Sequence, residues 1–275
     1  MKLLGNAETA VQVEKMVALA KAKVEANIVL LEANATLEQR MQVRQTYKAL
    51  GAQSNIEAIA NAAVEQLPPD VSDEPVDEDW RTRFFNIAED ISSDEMHQFW
   101  GKILAGEVAK PGSFSLRTLE VLRNLTQKEA EIFQKIRQFS TDTGNILKPS
   151  KVSSGLDDFG IIYREILILR EAGLLMDGDN LNVTAMLPAG QSHVGIGFNG
   201  KCLIFVPVKN RTSVKLEQIQ LTSSGRELLT LIQPVINIHY LNKLADYLAQ
   251  SNIVTKFGNL DAPLDTYRTI GNTTD

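Results

Sequence analysis

From Glu8 to Leu50, apolar residues recur at every third or fourth position, and Val13, Met16, Val17, Ala20, Val24, Ile28 and Leu31 mark one stripe. The stretch is rich in alanine and holds neither proline nor glycine, which predicts a helix of roughly 60 Å at 1.5 Å per residue. Gly51 is expected to break it. A second helix from about Asn55 to Leu67, carrying Ile56, Ile59, Ala60 and Ala63, is expected to fold back and complete a long hairpin over residues 1–67. A stripe this long cannot bury itself, so it packs either on the rest of the chain or on a second copy. For the second case the candidate self-association residues are Val13, Val17, Val24, Ile28 and Leu31.

The pattern changes at Leu67-Pro68-Pro69. Pro68 to Asp79 contains Asp70, Asp73, Glu74, Asp77, Glu78 and Asp79 with no base, an acidic connection whose last carboxylates favour the start of a helix at Trp80. A compact helical core is expected over residues 68–140. Ser92 and Glu95 read as a capping box before Met96, Phe99, Trp100, Ile103 and Leu104, which form one apolar face. Lys110-Pro111-Gly112 ends that helix. Another begins at Ser115 with Leu116, Leu119 and Leu122, and Thr126 with Glu129 caps a third before Ile132, Phe133 and Ile136.

A third module is expected over residues 141–257, followed by a loose tail over 258–275. Phe159 to Ala172 reads as a helix, with Gly173 as its left-handed stop. Strands are expected at Leu181–Leu187, Val194–Phe198, Lys201–Val208 and Val214–Leu221, with Asn199-Gly200 as a two-residue hairpin turn. Thr222 to Leu229 opens a helix, and His239 to Gln250 forms the last one. A helix, a β-hairpin and a further helix in this order suggest a winged-helix-like module. The fold class is therefore mainly α, α+β overall.

Charge and chemistry narrow the function. The chain of 275 residues carries a net charge of −6. Residues 1–66 are neutral, residues 67–150 hold five excess acids and residues 151–275 one, so no region offers a broad footprint for a phosphate backbone. Lys209, Arg211 and Lys215 are a local basic cluster where a wing tip would lie, and are the candidate nucleic-acid contacts. The start of the chain predicts no signal peptide, no apolar run is long enough to cross a bilayer, and a single cysteine, Cys202, fits a reducing cytoplasm. Gly195-Ile196-Gly197-Phe198-Asn199-Gly200 matches the letters of a dinucleotide fingerprint, but a strand follows where that fingerprint needs a helix. His97, His193 and His239 lack metal-ligand or triad spacing. No cofactor or metal is expected.

Asp79-Trp80, Arg83-Phe84-Phe85, Phe99-Trp100, Leu104-Ala105-Gly106-Glu107, Pro111-Gly112-Ser113-Phe114-Ser115 and Arg117-Thr118-Leu119 resemble a bacterial family catalogued as domain of unknown function 2806. The resemblance implies a helical core with a winged-helix-like end and brings no activity with it. The Leu104–Glu107 run and the proline after it also resemble helical proteins of phage abortive infection, which implies a defence or stress role. The charges in this block (Asp79, Arg81, Arg83, Glu107, Arg117 and Glu120) read as an ion network between helices. Alternatively, Arg83 and Arg117 form a clamp for an anion or a partner carboxylate. The expected function is a non-enzymatic interaction or regulatory protein that forms a homo-oligomer through its N-terminal helices. A winged-helix DNA-binding regulator is the alternative, and a hydrolase of unrecognised type the third reading.

Overall fold

The computed structural model describes residues 22–23, 35–151, 155–178, 181–187, 190–207, 213–259 and 262–271. The fold is α+β, with helices and two antiparallel sheets. The chain divides into two compact units, Met1–Leu119 and Glu120–Asp275.

The first unit is helical. Helix α1 spans Leu37–Gln66 and opens with a capping box, in which the Gln39 N–H donates to Thr36 Oγ1 and the Thr36 N–H to Gln39 Oε1. It runs without interruption through Gly51. The expected fold-back there does not occur, because an interior glycine costs only about 1 kcal/mol relative to alanine. Tertiary packing of the following turns outweighs that. Those turns lie on α3 (Asp94–Ala109), and α2 (Glu78–Ala88) packs beside them. Contact between α1 and α3 is close: a Cβ added to Gly101 would stand 2.6 Å from Ala62 Cβ and 2.9 Å from its carbonyl carbon. Within α2, Trp80 stacks on Phe84 at 4.9 Å, and Phe84 meets Trp100 of α3 at 5.4 Å. All three side chains are buried.

The caps of α2 and α3 also come from local hydrogen bonds. Asp77 Oδ1 accepts from the Trp80 N–H at 2.9 Å, and Glu78 and Asp79 fill the first turn of α2. On α3 the cap is Ser93, which accepts from the Met96 N–H, and not the expected Ser92. His97 lies at the edge of the core, with Nε2 2.8 Å from the Ile91 carbonyl. Helix α4, Leu116–Asn124, crosses the boundary between the units.

The second unit starts with α5 (Gln127–Ile136), whose Thr126–Glu129 capping box forms as expected. Strand β1 (Asn145–Leu147), a short 3-10 turn at Asp157–Phe159 and α6 (Tyr163–Glu171) follow. Gly173 ends α6 with φ +74°. Strands β2 (Leu181–Met186) and β5 (Ser213–Gln220) pair directly, and β5 sits between β1 and β2. Strands β3 (Val194–Phe198) and β4 (Lys201–Pro207) are inserted between that pair and belong to a different sheet, ordered β3-β4-β6-β7. Strand β6 is Ile253–Asn259 and β7 Arg268–Thr269. The stretch expected to be a loose tail is therefore anchored: Phe257 pairs with Arg268, and Tyr267 is buried over Gly258.

Each glycine of the 195–200 pattern has a structural reason. Cys202 Sγ crowds Gly195, the Asp142 carboxylate crowds Gly197, and Asn199 (φ +52°) with Gly200 (φ +74°) makes the two-residue turn. Helix α7 (Ser223–Leu229) is held at its start, where Thr222 Oγ1 donates to the Gly173 carbonyl at 2.6 Å and Gly225 abuts the Leu174 carbonyl. Helix α8 (Ile238–Ala249) delivers Tyr240 to the core, among Phe139, Phe159 and Phe198. The Tyr240 hydroxyl donates to the Leu147 carbonyl at 2.6 Å, and full burial pushes its pKa up.

The two helix-interior glycines of the first unit should respond oppositely to alanine. Gly51→Ala, whose Cβ meets open space, should raise stability by about 0.5–1 kcal/mol. Gly101→Ala should lower it by about 1–3 kcal/mol through overpacking. Urea denaturation of the two variants checks the contrast.

Candidate interaction surfaces

In the first unit the distinctive residues from Asp77 to Thr118 converge on one carboxylate. Helix α3 ends at Lys110, and the chain turns through Gly112 at φ +83°. Glu107, 1% exposed, accepts from the Gly112 N–H at 2.6 Å and from the Phe114 N–H at 2.8 Å. Gly106 lets the Phe114 ring pack against the helix, since a Cβ there would be 2.8 Å from the ring. Glu107 thus takes its partners from the backbone. Two backbone N–H groups satisfy the buried charge, and Asp79, Arg81, Arg83 and Arg117 are exposed. Arg81 reaches Glu78 at 3.7 Å on the surface, a contact of small energetic weight.

Beside Glu107 lies an open cleft of about 720 Å³, walled by Trp80 and Phe114 and rimmed by Glu74, Asp77, Glu78 and Arg81. The Trp80 indole N–H is buried with no acceptor among the described residues. The expected clamp residues lie outside this lining, with Arg83 on α2 and Arg117 on α4.

The first four turns of α1 are a second surface. Residues 37–49 are exposed apart from half-buried Val43, with Leu37 at 66% and Met41 at 43%. Both extend, at helical spacing, the line of Ile59 and Ala62, which is buried further along the same helix. The candidate self-association residues Val13, Val17, Val24, Ile28 and Leu31 lie outside the described residues.

In the second unit, α6 buries Ile166 and Leu169 and turns Tyr163, Arg164 and Leu167 outward, with Ile162 (51% exposed) before it and Met176 after it. Arg170 is engaged with the Gly178 carbonyl at 2.9 Å. Lys215 is exposed on β5 opposite Thr184; Lys209 and Arg211 lie outside the described residues. Among the described residues no three His, Cys, Asp or Glu side chains converge as a metal site, and no helix is long and apolar enough to cross a membrane.

A family profile described as a protein of unknown function (DUF2806) matches residues 39–245. The chain belongs to the DUF2806 family. The match includes the Glu107 turn and the β1-β5-β2 sheet, and stops before β6 and β7. No curated protein and no solved structure matches the chain.

Sequence reasoning missed what holds Glu107. Its only trace was a glutamate followed at five and seven residues by Gly112 and Phe114, since the donors are backbone groups. Glu107→Ala leaves the buried Phe114 N–H and the Gly112 N–H without their charged acceptor and should cost about 2–3 kcal/mol, measured by urea denaturation. Glu107→Gln, which keeps one carbonyl acceptor, should cost less.

Proposed function

We propose that this DUF2806 protein is a non-enzymatic interaction protein that self-associates through its N-terminal helical segment. The observation that carries this reading is the exposed first half of α1. A helix of some four turns gains little stability from its own hydrogen bonds in water, and Leu37 and Met41 present apolar surface on the line that is buried further along the same helix. A second copy, using the same stripe and the Val13–Leu31 stripe before it, would cover both.

Helix α6 and the sheet support a winged-helix-like reading of the second unit. The order α5, β1, α6, β2, β5, with β5 paired between β1 and β2, is compatible with a winged helix whose wing carries β3 and β4 as an insertion. In this reading α6 stands in the recognition position. Its outward residues Ile162, Tyr163 and Leu167 are apolar and Arg164 is one exposed base among them, which suits a protein surface better than phosphates and base edges. DNA binding is the second reading, favoured by exposed Lys215 on a strand of that wing.

Sedimentation equilibrium across micromolar concentrations should give a dimer or larger species. Leu37→Glu/Met41→Glu should shift it toward monomer with little change in melting temperature, since both residues are exposed; a monomeric wild-type mass throughout overturns the proposal. For the second reading, duplex DNA binding should weaken as salt rises and drop when Lys209, Arg211 and Lys215 are changed to Gln. Absence of binding at low salt would remove it.

A further inference from the structure

The second unit contains a small pocket that the proposed self-association does not use. Its volume is about 200 Å³ and its lining is Arg137, Asp142, Gly144, Arg226, Leu229 and Thr230. These residues come from three places: the 3-10 turn Arg137–Phe139 that follows α5, the approach to β1, and α7 with the residue after it. Two of the six are guanidinium groups.

Neither arginine spends its charge on a carboxylate in the pocket. Arg137 Nε donates to the Ile232 carbonyl at 3.3 Å, while Nη1 is shut from solvent with no acceptor among the described residues. Desolvation pushes the Arg137 pKa down, and the charge of Asp142 offsets this in part. Arg226 donates from Nη1 to the Leu221 carbonyl at 2.9 Å and from Nη2 to Ser223 Oγ at 3.2 Å. Its stem lies across Gly144, where any Cβ would fall 2.3 Å from Arg226 Cγ. That glycine, at φ +77°, fixes where the guanidinium stands. The one acid in the lining is committed elsewhere: Asp142 Oδ1 accepts from the Asn199 N–H at 2.7 Å, and its second oxygen lies against Gly197.

A guanidinium has five N–H donors in a rigid fork matched to carboxylate and phosphate oxygens. Two such forks, each with donors to spare, walling a cavity large enough for a phosphoryl or carboxylate group, leave an anion as the missing partner. The geometry points to an oxyanion-binding site in which Arg137 and Arg226 grip a phosphate or carboxylate group. Thr230 Oγ1, which donates to the Glu227 carbonyl at 2.6 Å, stands at the wall, and Asp142 lowers the site's net positive charge. A bound oxyanion ties the end of α5 to the start of β1 and to α7.

The test is thermal unfolding and calorimetric titration of the full chain with inorganic phosphate, sulfate and acetate, each against chloride at equal ionic strength. Phosphate or acetate should raise the melting temperature saturably where chloride does not; the stronger of the two identifies the group. Arg137→Gln and Arg226→Gln should weaken binding at least 10-fold. The lysine variants Arg137→Lys and Arg226→Lys, which keep the charge and the fold, should weaken it severalfold by losing the fork. Asp142→Asn should tighten it severalfold, because its amide oxygen still accepts from Asn199 while the negative charge is gone. The proposal is overturned if chloride reproduces the shift, or if both lysine variants and Asp142→Asn bind as the wild type does.

Discussion

The first unit depends on one buried carboxylate. Glu107 projects from the last turn of α3 and receives the N–H groups of Gly112 and Phe114, so the chain reverses over its own helix end. A buried charge is tolerated only when its lone pairs are filled, and here backbone donors fill them without any cation. The turn then sets Phe114 onto Gly106 and directs the chain into α4. Arg81, Arg83 and Arg117 are left on the surface. The Glu107 turn is in this respect a folding device.

The second unit depends on contacts between distant segments. Gly173, Leu174 and Thr222 meet where α6 ends and α7 begins, and only a glycine at 225 leaves room for the Leu174 carbonyl. Tyr240 closes the core from the other side by donating to Leu147 among three phenylalanine rings. The two sheets share no strand, yet Asp142 joins them: its N–H donates to Gly197, and its carboxylate accepts from Asn199.

Features fixed by neighbours in the chain were legible in the sequence. The Thr126–Glu129 box, the Gly173 stop and the Asn199-Gly200 turn each depend on a few consecutive residues, and each was read correctly. Gly51 was misread because local propensity, worth about 1 kcal/mol, was weighed without the packing on α3 that opposes it. The sheet membership of β3 and β4 could not be read, because their partner β6 lies some fifty residues downstream and β7 further still. The Glu107 clamp was hidden for another reason, since backbone donors leave no letter in a sequence. Arg137, Asp142 and Arg226 are brought together only by the fold of the second unit.

Asp142 explains why the arginine pocket keeps its charge. A carboxylate near two guanidinium groups would ordinarily turn toward them and form a bidentate pair. Here its backbone and one oxygen are held by the β3–β4 hairpin, and Gly197 lies against the other oxygen. Turning toward Arg137 would break the Asn199 hydrogen bond and leave a buried backbone N–H unsatisfied, at a cost of about 1–3 kcal/mol. The inserted hairpin thus holds the acid in place, and the two guanidinium forks remain available to a ligand from outside the chain.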